Sequence, residues 1–148
     1  MKKKFIVLCL VLTLMMLMLQ GCSTEGETSI KVVTNEKGTR IEATLKADES
    51  KNYVWKYFTK KGNLTESATE FSNDIFSDTY TQKYGFVIDE KASDTIYFVL
   101  YQKENIEAGK IFEYEVSYDD DGNIVLGDQK QSYLENNPEL MEKIKTEE

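Results

Sequence analysis

The 148-residue chain contains no histidine, one proline and one arginine. Without histidine it lacks the usual general base at neutral pH, the base of Ser-His and Cys-His nucleophile pairs, and the commonest zinc ligand. Carboxylates are abundant, but their spacing singles out no pair suited to glycoside hydrolysis. We therefore predict that the protein is not an enzyme and that it carries no catalytic residues, metal or cofactor.

Cysteine is scarce as well, with only Cys9 and Cys22 in the chain. Cys9 lies in an apolar run, from Phe5 to Leu19, that follows three lysines and precedes small and polar residues. That layout is typical of a secretory signal peptide. A run of about 15 residues spans roughly 22 Å as a helix, short of the ~30 Å hydrocarbon core. We expect residues 1–21 to be removed, which leaves no cysteine pair and a domain that folds without disulfides.

The signal ends in Leu19-Gln20-Gly21-Cys22. This sequence resembles the lipobox of bacterial lipoproteins. The resemblance implies that the Cys22 thiol receives a diacylglycerol, that the chain is cut before Cys22, and that the new amine is acylated, for example by palmitate. The expected location is the cell membrane, lipid-anchored and facing outside the cytoplasm. An ordinary signal peptide with a chance cysteine and an uncleaved anchor are the alternatives.

Basic residues are fewer than acidic ones, 18 against 26, so the chain is acidic. Removing the three signal lysines leaves 15 basic residues, so the formal net charge of the remaining 127 residues falls to about −11. Such a surface repels nucleic acid and anionic headgroups. We predict no nucleic-acid partner and a membrane contact made through the lipid on Cys22.

The length of the exported part, residues 22–148, predicts a single domain. Residues 22–28 are polar and predict a flexible tether, and residues 129–148 predict a tail with a short helix, capped by Asn137 with Pro138 at its first position. Between them, residues 29–128 alternate apolar and polar side chains in some eight short segments separated by turns. This pattern predicts an all-β antiparallel sandwich.

Three segments of this domain have the most distinctive apolar patterns. Residues 53–58 place three aromatic side chains on one face, and residues 111–118 alternate strictly. Residues 95–101 are apolar throughout, which predicts a central strand covered on both faces. We expect residues 64–71 to form a polar edge strand, residues 72–79 a loop with one helical turn, and residues 102–109 a polar loop.

The order of Tyr53-Val54-Trp55, the apolar strand 96–101 and the alternating strand 112–116 resembles bacterial chagasin-type proteins. Those are small immunoglobulin-like sandwiches that inhibit papain-like cysteine proteases with three loops at one end. The resemblance covers residues 39–126 and implies an immunoglobulin-like fold. It implies one candidate function, inhibition of a papain-like protease. Our leading hypothesis is a lipid-anchored, extracytoplasmic binding or envelope-structural lipoprotein, whose protein partner would be another envelope component.

The resemblance assigns two candidate binding loops to this chain. Their residues are Asp48, Glu49, Ser50, Lys51, Asn52, Gln102, Lys103 and Glu104. The family's first loop reads Asn-Pro-Thr-Thr-Gly before an aromatic-x-Trp, and only the aromatic-x-Trp half is present here. Its glycine-rich second loop falls near residues 81–85. Because the first loop lacks the proline and glycine that would fix its shape, we expect inhibition to be weak or absent.

Two further features each have a structural and a functional interpretation. Asp119 to Asn123 offers clustered oxygen ligands of the kind that calcium binds, but Asp-Gly between alternating strands is also a hairpin turn, and we favour the turn. Trp55 and the tyrosines could form a binding platform for carbohydrate or peptide. Their alternation on strands favours core packing for Trp55.

Overall fold

The computed structural model describes residues 25–147, which form two packed antiparallel sheets and one helix. The strands of the first sheet, in spatial order, are β1 (Gly26–Asn35), β2 (Gly38–Asp48), β5 (Thr79–Ile88) and β4 (Leu64–Asp74). The strands of the second are β3 (Tyr53–Thr59), β6 (Asp94–Gln102), β7 (Asn105–Tyr118) and β8 (Ile124–Leu126), with β9 (Lys130–Tyr133) also pairing with β7. Helix α1 (Pro138–Glu147) follows β9.

The order β1-β2-β5-β4 facing β3-β6-β7 is the strand order of the constant-type immunoglobulin sandwich. The predicted all-β, immunoglobulin-like sandwich with a short C-terminal helix is therefore confirmed. In this order β3 and β4 are edge strands of opposite sheets, and they lie on the same side of the sandwich.

The main core lies between the two sheets, where the inward-facing side chains of both meet. Phe86 and Phe98 are completely buried there, and Trp55 is 3% exposed. Trp55 contacts Phe112 at 5.6 Å between ring centroids. The position that we predicted for Trp55, in the core, is confirmed.

A second core covers the outer face of the second sheet. Its buried side chains are Val99, Tyr101, Ile111, Leu134, Leu140 and Ile144. The last three come from the C-terminal segment, which folds back over β6 and β7. This explains why residues 95–101 are apolar throughout, since β6 is covered on both faces. The predicted helix cap is also present, because the Leu140 amide donates to Asn137 Oδ1 at 3.1 Å.

Four predicted boundaries need correction. Residues 26–28 belong to β1 and not to the tether, and β4 runs on to Asp74 before a hairpin turn replaces the predicted helical turn. Residues 105–109 belong to β7, so the loop expected over residues 102–109 shrinks to Lys103 and Glu104. The tail contains strand β9. For residues 26–28, the end of β4 and β9, a neighbouring strand supplies hydrogen bonds that a polar sequence does not reveal. At the start of β7 only Asn105 is paired, and residues 106–109 lie at a register shift between β6 and β7.

The predicted signal peptide (residues 1–21), its predicted lipobox Leu19, Gln20 and Gly21, and the predicted lipidation site Cys22 lie outside the described residues. Within residues 25–147, none of the helical segments has the length and apolar character that crossing a membrane requires.

Candidate binding groove

Three loops meet at one end of the sandwich, which we call the loop end. They are the 3-10 turn Glu49–Lys51, the β4–β5 turn (residues 75–78) and the β6–β7 turn (residues 103–104). The Glu49 amide donates to the Asp78 carbonyl at 2.7 Å, and Gln102 Nε2 donates to the Lys51 carbonyl at 2.7 Å. The candidate residues at 48–52 and 102–104 are therefore brought together. Residues 81–85, where we expected the second loop, lie within β5.

The loop over residues 48–52 holds its shape through its own hydrogen bonds. Asp48 Oδ1 accepts from the Ser50 amide at 3.0 Å and from the Ser50 hydroxyl at 2.6 Å. The hydroxyl bond holds the pKa of Asp48 below its usual range, because it stabilises the ionised carboxylate. Asn52 closes the turn with a left-handed backbone, at φ 57°. The absence of proline and glycine therefore does not leave this loop without a fixed conformation.

A groove of about 520 Å³ opens beside the loop end, between the start of β3 and the β4–β5 hairpin. This volume lies in the range of small-ligand sites, about 300–1,000 Å³. Aromatic and aliphatic side chains form its base and polar ones its rim. The lining residues are Tyr53, Val54, Trp55, Phe71, Tyr80 and Gln82, with Glu49, Asn52, Lys103 and Glu104 at the loop end.

The groove exists because the first sheet extends further sideways than the second. Phe71 on β4 is paired with Gln82 on β5, so both side chains lie on the inward face of the sheet. The second sheet ends at β3, and Phe71 is 60% exposed although it faces inward. Its ring stacks on Tyr80 with centroids 5.6 Å apart. An aromatic side chain on an uncovered inner face gives the groove an apolar floor.

Tyr80 links the two sheets at the base of this groove. Its hydroxyl donates to the Tyr53 carbonyl at 2.8 Å and also interacts with the backbone of Trp55. Burial raises the pKa of Tyr80 to about 12, because the phenolate would be poorly solvated there. Tyr80 therefore satisfies polar groups on the free edge of β3 and stays a neutral donor.

Two buried polar atoms of the groove residues have no hydrogen-bond partner within residues 25–147: Nε1 of Trp55 and Oε1 of Gln82. The first is a donor and the second an acceptor. Leaving such a group unpaired away from water costs roughly 1–3 kcal/mol. Both atoms are closed to solvent, so a ligand in the groove would reach them only where neighbouring side chains move aside. An amide group would then offer the acceptor and the donor that they lack.

The sequence did not point to Phe71, Tyr80 and Gln82. One signal was available: Phe71 is a large apolar residue at the end of a mostly polar predicted edge strand. That it is exposed on the inner face follows only from the strand order.

The acidic segment beginning at Asp119 lies at the other end of the sandwich and is a turn. Asp119 Oδ1 accepts from the amides of Asn123 at 2.8 Å and Asp121 at 3.0 Å. These bonds lower the pKa of Asp119, led by the Asn123 amide. The carboxylate thus organises the hairpin between β7 and β8, in keeping with the turn interpretation.

Comparisons of the chain with protein-family models, with curated proteins and with solved structures find no match. Because the immunoglobulin-like sandwich serves many unrelated functions, the fold alone does not assign one. The chemistry of the groove and of the loop end is therefore the guide to function.

Proposed function

We propose that the protein is a lipid-anchored binding protein of the cell envelope, which holds an extended peptide segment of an extracytoplasmic partner and catalyses no reaction. The groove between β3 and β4 carries the proposal. It combines an exposed aromatic floor at Phe71 with an unpaired donor on Trp55 and an unpaired acceptor on Gln82. Apolar contact plus a few placed polar groups is the usual composition of a binding site.

A peptide fits this composition better than a carbohydrate or a nucleic acid. Each peptide unit carries one carbonyl and one amide N–H, the complements of Trp55 Nε1 and Gln82 Oε1. An apolar side chain next to that unit can cover Phe71. The acidic surface disfavours polyanions.

The anchor is supported by Leu19-Gln20-Gly21-Cys22 at the end of the signal segment. Two or three acyl chains, at about 0.8 kcal/mol per buried methylene, give a stable attachment. Metabolic labelling with an alkyne fatty acid and fractionation of cells tests this part of the proposal. We expect label and membrane recovery for the wild type and loss of both for Cys22→Ser. An unlabelled wild type, or an unchanged membrane fraction for the variant, would contradict lipidation.

Peptide binding can be tested by panning a random peptide library on residues 25–148. Because Trp55 is the sole tryptophan, its emission reports on the groove directly. We expect the selected peptides to share an apolar residue, to shift the emission of Trp55, and to bind at least about tenfold more weakly to Phe71→Ser and to Gln82→Leu, a difference of about 1.4 kcal/mol.

Val125→Ser is the matched control, since Val125 is an exposed apolar side chain on β8, on the opposite edge of the second sheet. We expect this variant to bind as the wild type does. Peptides that bind all three variants equally would show that the groove is not the site.

A chagasin-like inhibitor of papain-like proteases is the second candidate. The observation that favours it is the meeting of three loops at one end, joined by the hydrogen bonds of Glu49 and Gln102. The loops carry charged residues in place of the family's motifs. We expect weak or no inhibition when the domain is titrated against papain and a cathepsin with a fluorogenic substrate. Nanomolar inhibition would make this the leading function.

A further inference from the structure

The chain enters the sandwich at the loop end. Gly26, the first residue of β1, pairs with Ala47 near the end of β2, just before the 3-10 turn. The preceding residue, Glu25, forms an ion pair with Lys110 on β7. The pair holds the pKa of Glu25 below its usual range and raises that of Lys110. The segment before β1 therefore departs from the same end at which the three loops meet.

The distance from this end to the proposed lipid is short. Four residue steps separate Cys22 from Gly26, and an extended chain spans at most about 3.6 Å per residue, or roughly 14 Å in all. The inference rests on the proposed lipidation of Cys22. Given that anchor, the loop end lies within about 14 Å of the headgroups, and the domain has little freedom to turn away.

The β4–β5 turn presents two exposed apolar side chains at this same end. Ile75 is 84% exposed and Phe76 is 93% exposed. The turn is held in place, because Asp74 Oδ1 accepts from the Phe76 amide at 2.9 Å and Asp74 Oδ2 from the Ser77 hydroxyl at 2.7 Å. These hydrogen bonds present the two side chains outward on a turn of fixed shape.

The position of this turn relative to Gly26 follows from strand pairing. Gly26, Ala47, Tyr80 and Asn73 lie side by side across the first sheet. At about 4.8 Å per strand, Asn73 is roughly 14 Å to the side of Gly26. The turn projects beyond this row, in the direction from which the chain arrives. Its apolar tip and the lipid therefore point the same way.

We propose that Ile75 and Phe76 insert into the interfacial region of the lipid bilayer, so that the protein sits on the membrane at two points with its loop end facing the lipid. The carboxylates of Asp48, Glu49, Asp78 and Glu104 outnumber the two lysines of these loops, Lys51 and Lys103, so the net charge of this end gives no attraction for anionic headgroups. The turn therefore depends on the acyl anchor, which raises its effective concentration at the surface.

This orientation separates the two candidate functions. A protease would have to reach the loops through the narrow space between the domain and the bilayer. The groove opens on the β3–β4 side, and a peptide can reach it from the side. If the loop end faces the membrane, peptide binding in the groove is therefore favoured over protease inhibition by the loops.

The experiment uses the lipidated protein as the cell processes it, without residues 1–21, in phosphatidylcholine vesicles that carry doxyl-labelled lipid. Because Cys9 is removed with the signal and the Cys22 thiol is acylated, a new cysteine can be labelled alone with bimane. Phe76→Cys places the label on the β4–β5 turn. Lys37→Cys places it on the β1–β2 turn at the opposite end of the sandwich.

We expect doxyl lipid to quench the label at position 76 and to leave the label at position 37 unaffected. Adding Ile75→Ser to the Phe76→Cys protein should reduce the quenching. Vesicle-bound protein with no quenching at position 76, or equal quenching at both positions, would overturn the orientation while leaving the anchor intact. Protein that carries no acyl group by mass spectrometry would overturn both the anchor and the orientation.

Discussion

The two sides of the sandwich are closed in different ways. On the side of β1 and β7, the Thr28 hydroxyl lies 2.7 Å from the Tyr114 hydroxyl, and both hydroxyls bond to Gln129. On the side of β3 and β4, the Tyr57 hydroxyl donates to Glu66 and the Tyr80 hydroxyl reaches across to β3, but toward the loop end Phe71 is left uncovered. The same strand order thus supports a closed side and an open one. The strand order leaves the inner face of β4 uncovered beyond β3, and Phe71 makes that uncovered face apolar.

The largest loss of stability is expected on substitution of Trp55, which belongs to the core and also lines the open side. Trp55→Ala should lower the free energy of unfolding by about 3–5 kcal/mol, a large share of the ~5–15 kcal/mol typical of a small domain. Urea denaturation followed by circular dichroism measures it. A midpoint equal to that of the wild type would show that the indole is not packed in the core.

A smaller effect is expected on the closed side. Tyr114→Phe removes the hydroxyl that joins Thr28 and Gln129 while keeping the ring. Loss of this hydrogen bonding should cost about 1 kcal/mol in the same denaturation experiment. Peptide binding should not change. A loss of binding in this variant would mean that the closed side contributes to the site.

On the open side, a substitution should affect peptide binding more than it affects stability. Phe71→Ser should change the free energy of unfolding by less than about 1 kcal/mol, because the side chain is mostly exposed and loses only its stacking on Tyr80. It should nevertheless abolish most of the binding. If stability falls as far as in Trp55→Ala, Phe71 is a core residue and the groove has no free apolar floor.

The smallest expected effect is on the pH dependence of stability, through the ion pair between Glu25, just before β1, and Lys110. Lys110 lowers the pKa of Glu25, so the pair stabilises the fold above the ordinary pKa of glutamate, and this contribution is lost as pH falls through the lowered value. Glu25→Gln should therefore be slightly less stable than the wild type at pH 7 and equally stable once both are strongly acidified. Denaturation midpoints across pH 2–7 provide the measurement. A difference that persists at the acid end would point to a cause other than ionisation.

Most of the fold was predictable because local patterns of apolar and polar residues indicate most of its strands and its helix. The alternation of apolar and polar residues around Tyr114 predicted a strand, and the apolar run over residues 95–101 predicted β6. Asn137 followed by Pro138 predicted the start of the helix. What failed was the polar strand. β9 carries few apolar side chains, and it is a strand because β7 offers it hydrogen bonds. At the start of β7, Asn105 pairs with Gln102, and residues 106–109 lie at a register shift between β6 and β7.

The candidate loops were predictable and the groove was not. Asp48 to Asn52 and Gln102 to Glu104 do meet at one end, as a sandwich with this strand order requires. The groove depends on the first sheet reaching past β3, a relation between edge strands that are apart in the sequence. The Asp48–Ser50 hydrogen bonds of the first loop form a local turn motif, whereas its bond to the Asp78 carbonyl comes from a turn that is distant in the sequence and that no local motif reveals.

The central claim is that the open side binds a peptide segment, and photo-crosslinking in the producing cells tests it most directly. A benzoyl-phenylalanine would replace Phe71 in one full-length protein and Val125 in another, and cross-linked peptides would be sequenced. The account predicts that position 71 captures a defined segment with an apolar side chain and that position 125 does not. Capture of the same products at both positions, or of lipid alone at position 71, would contradict it.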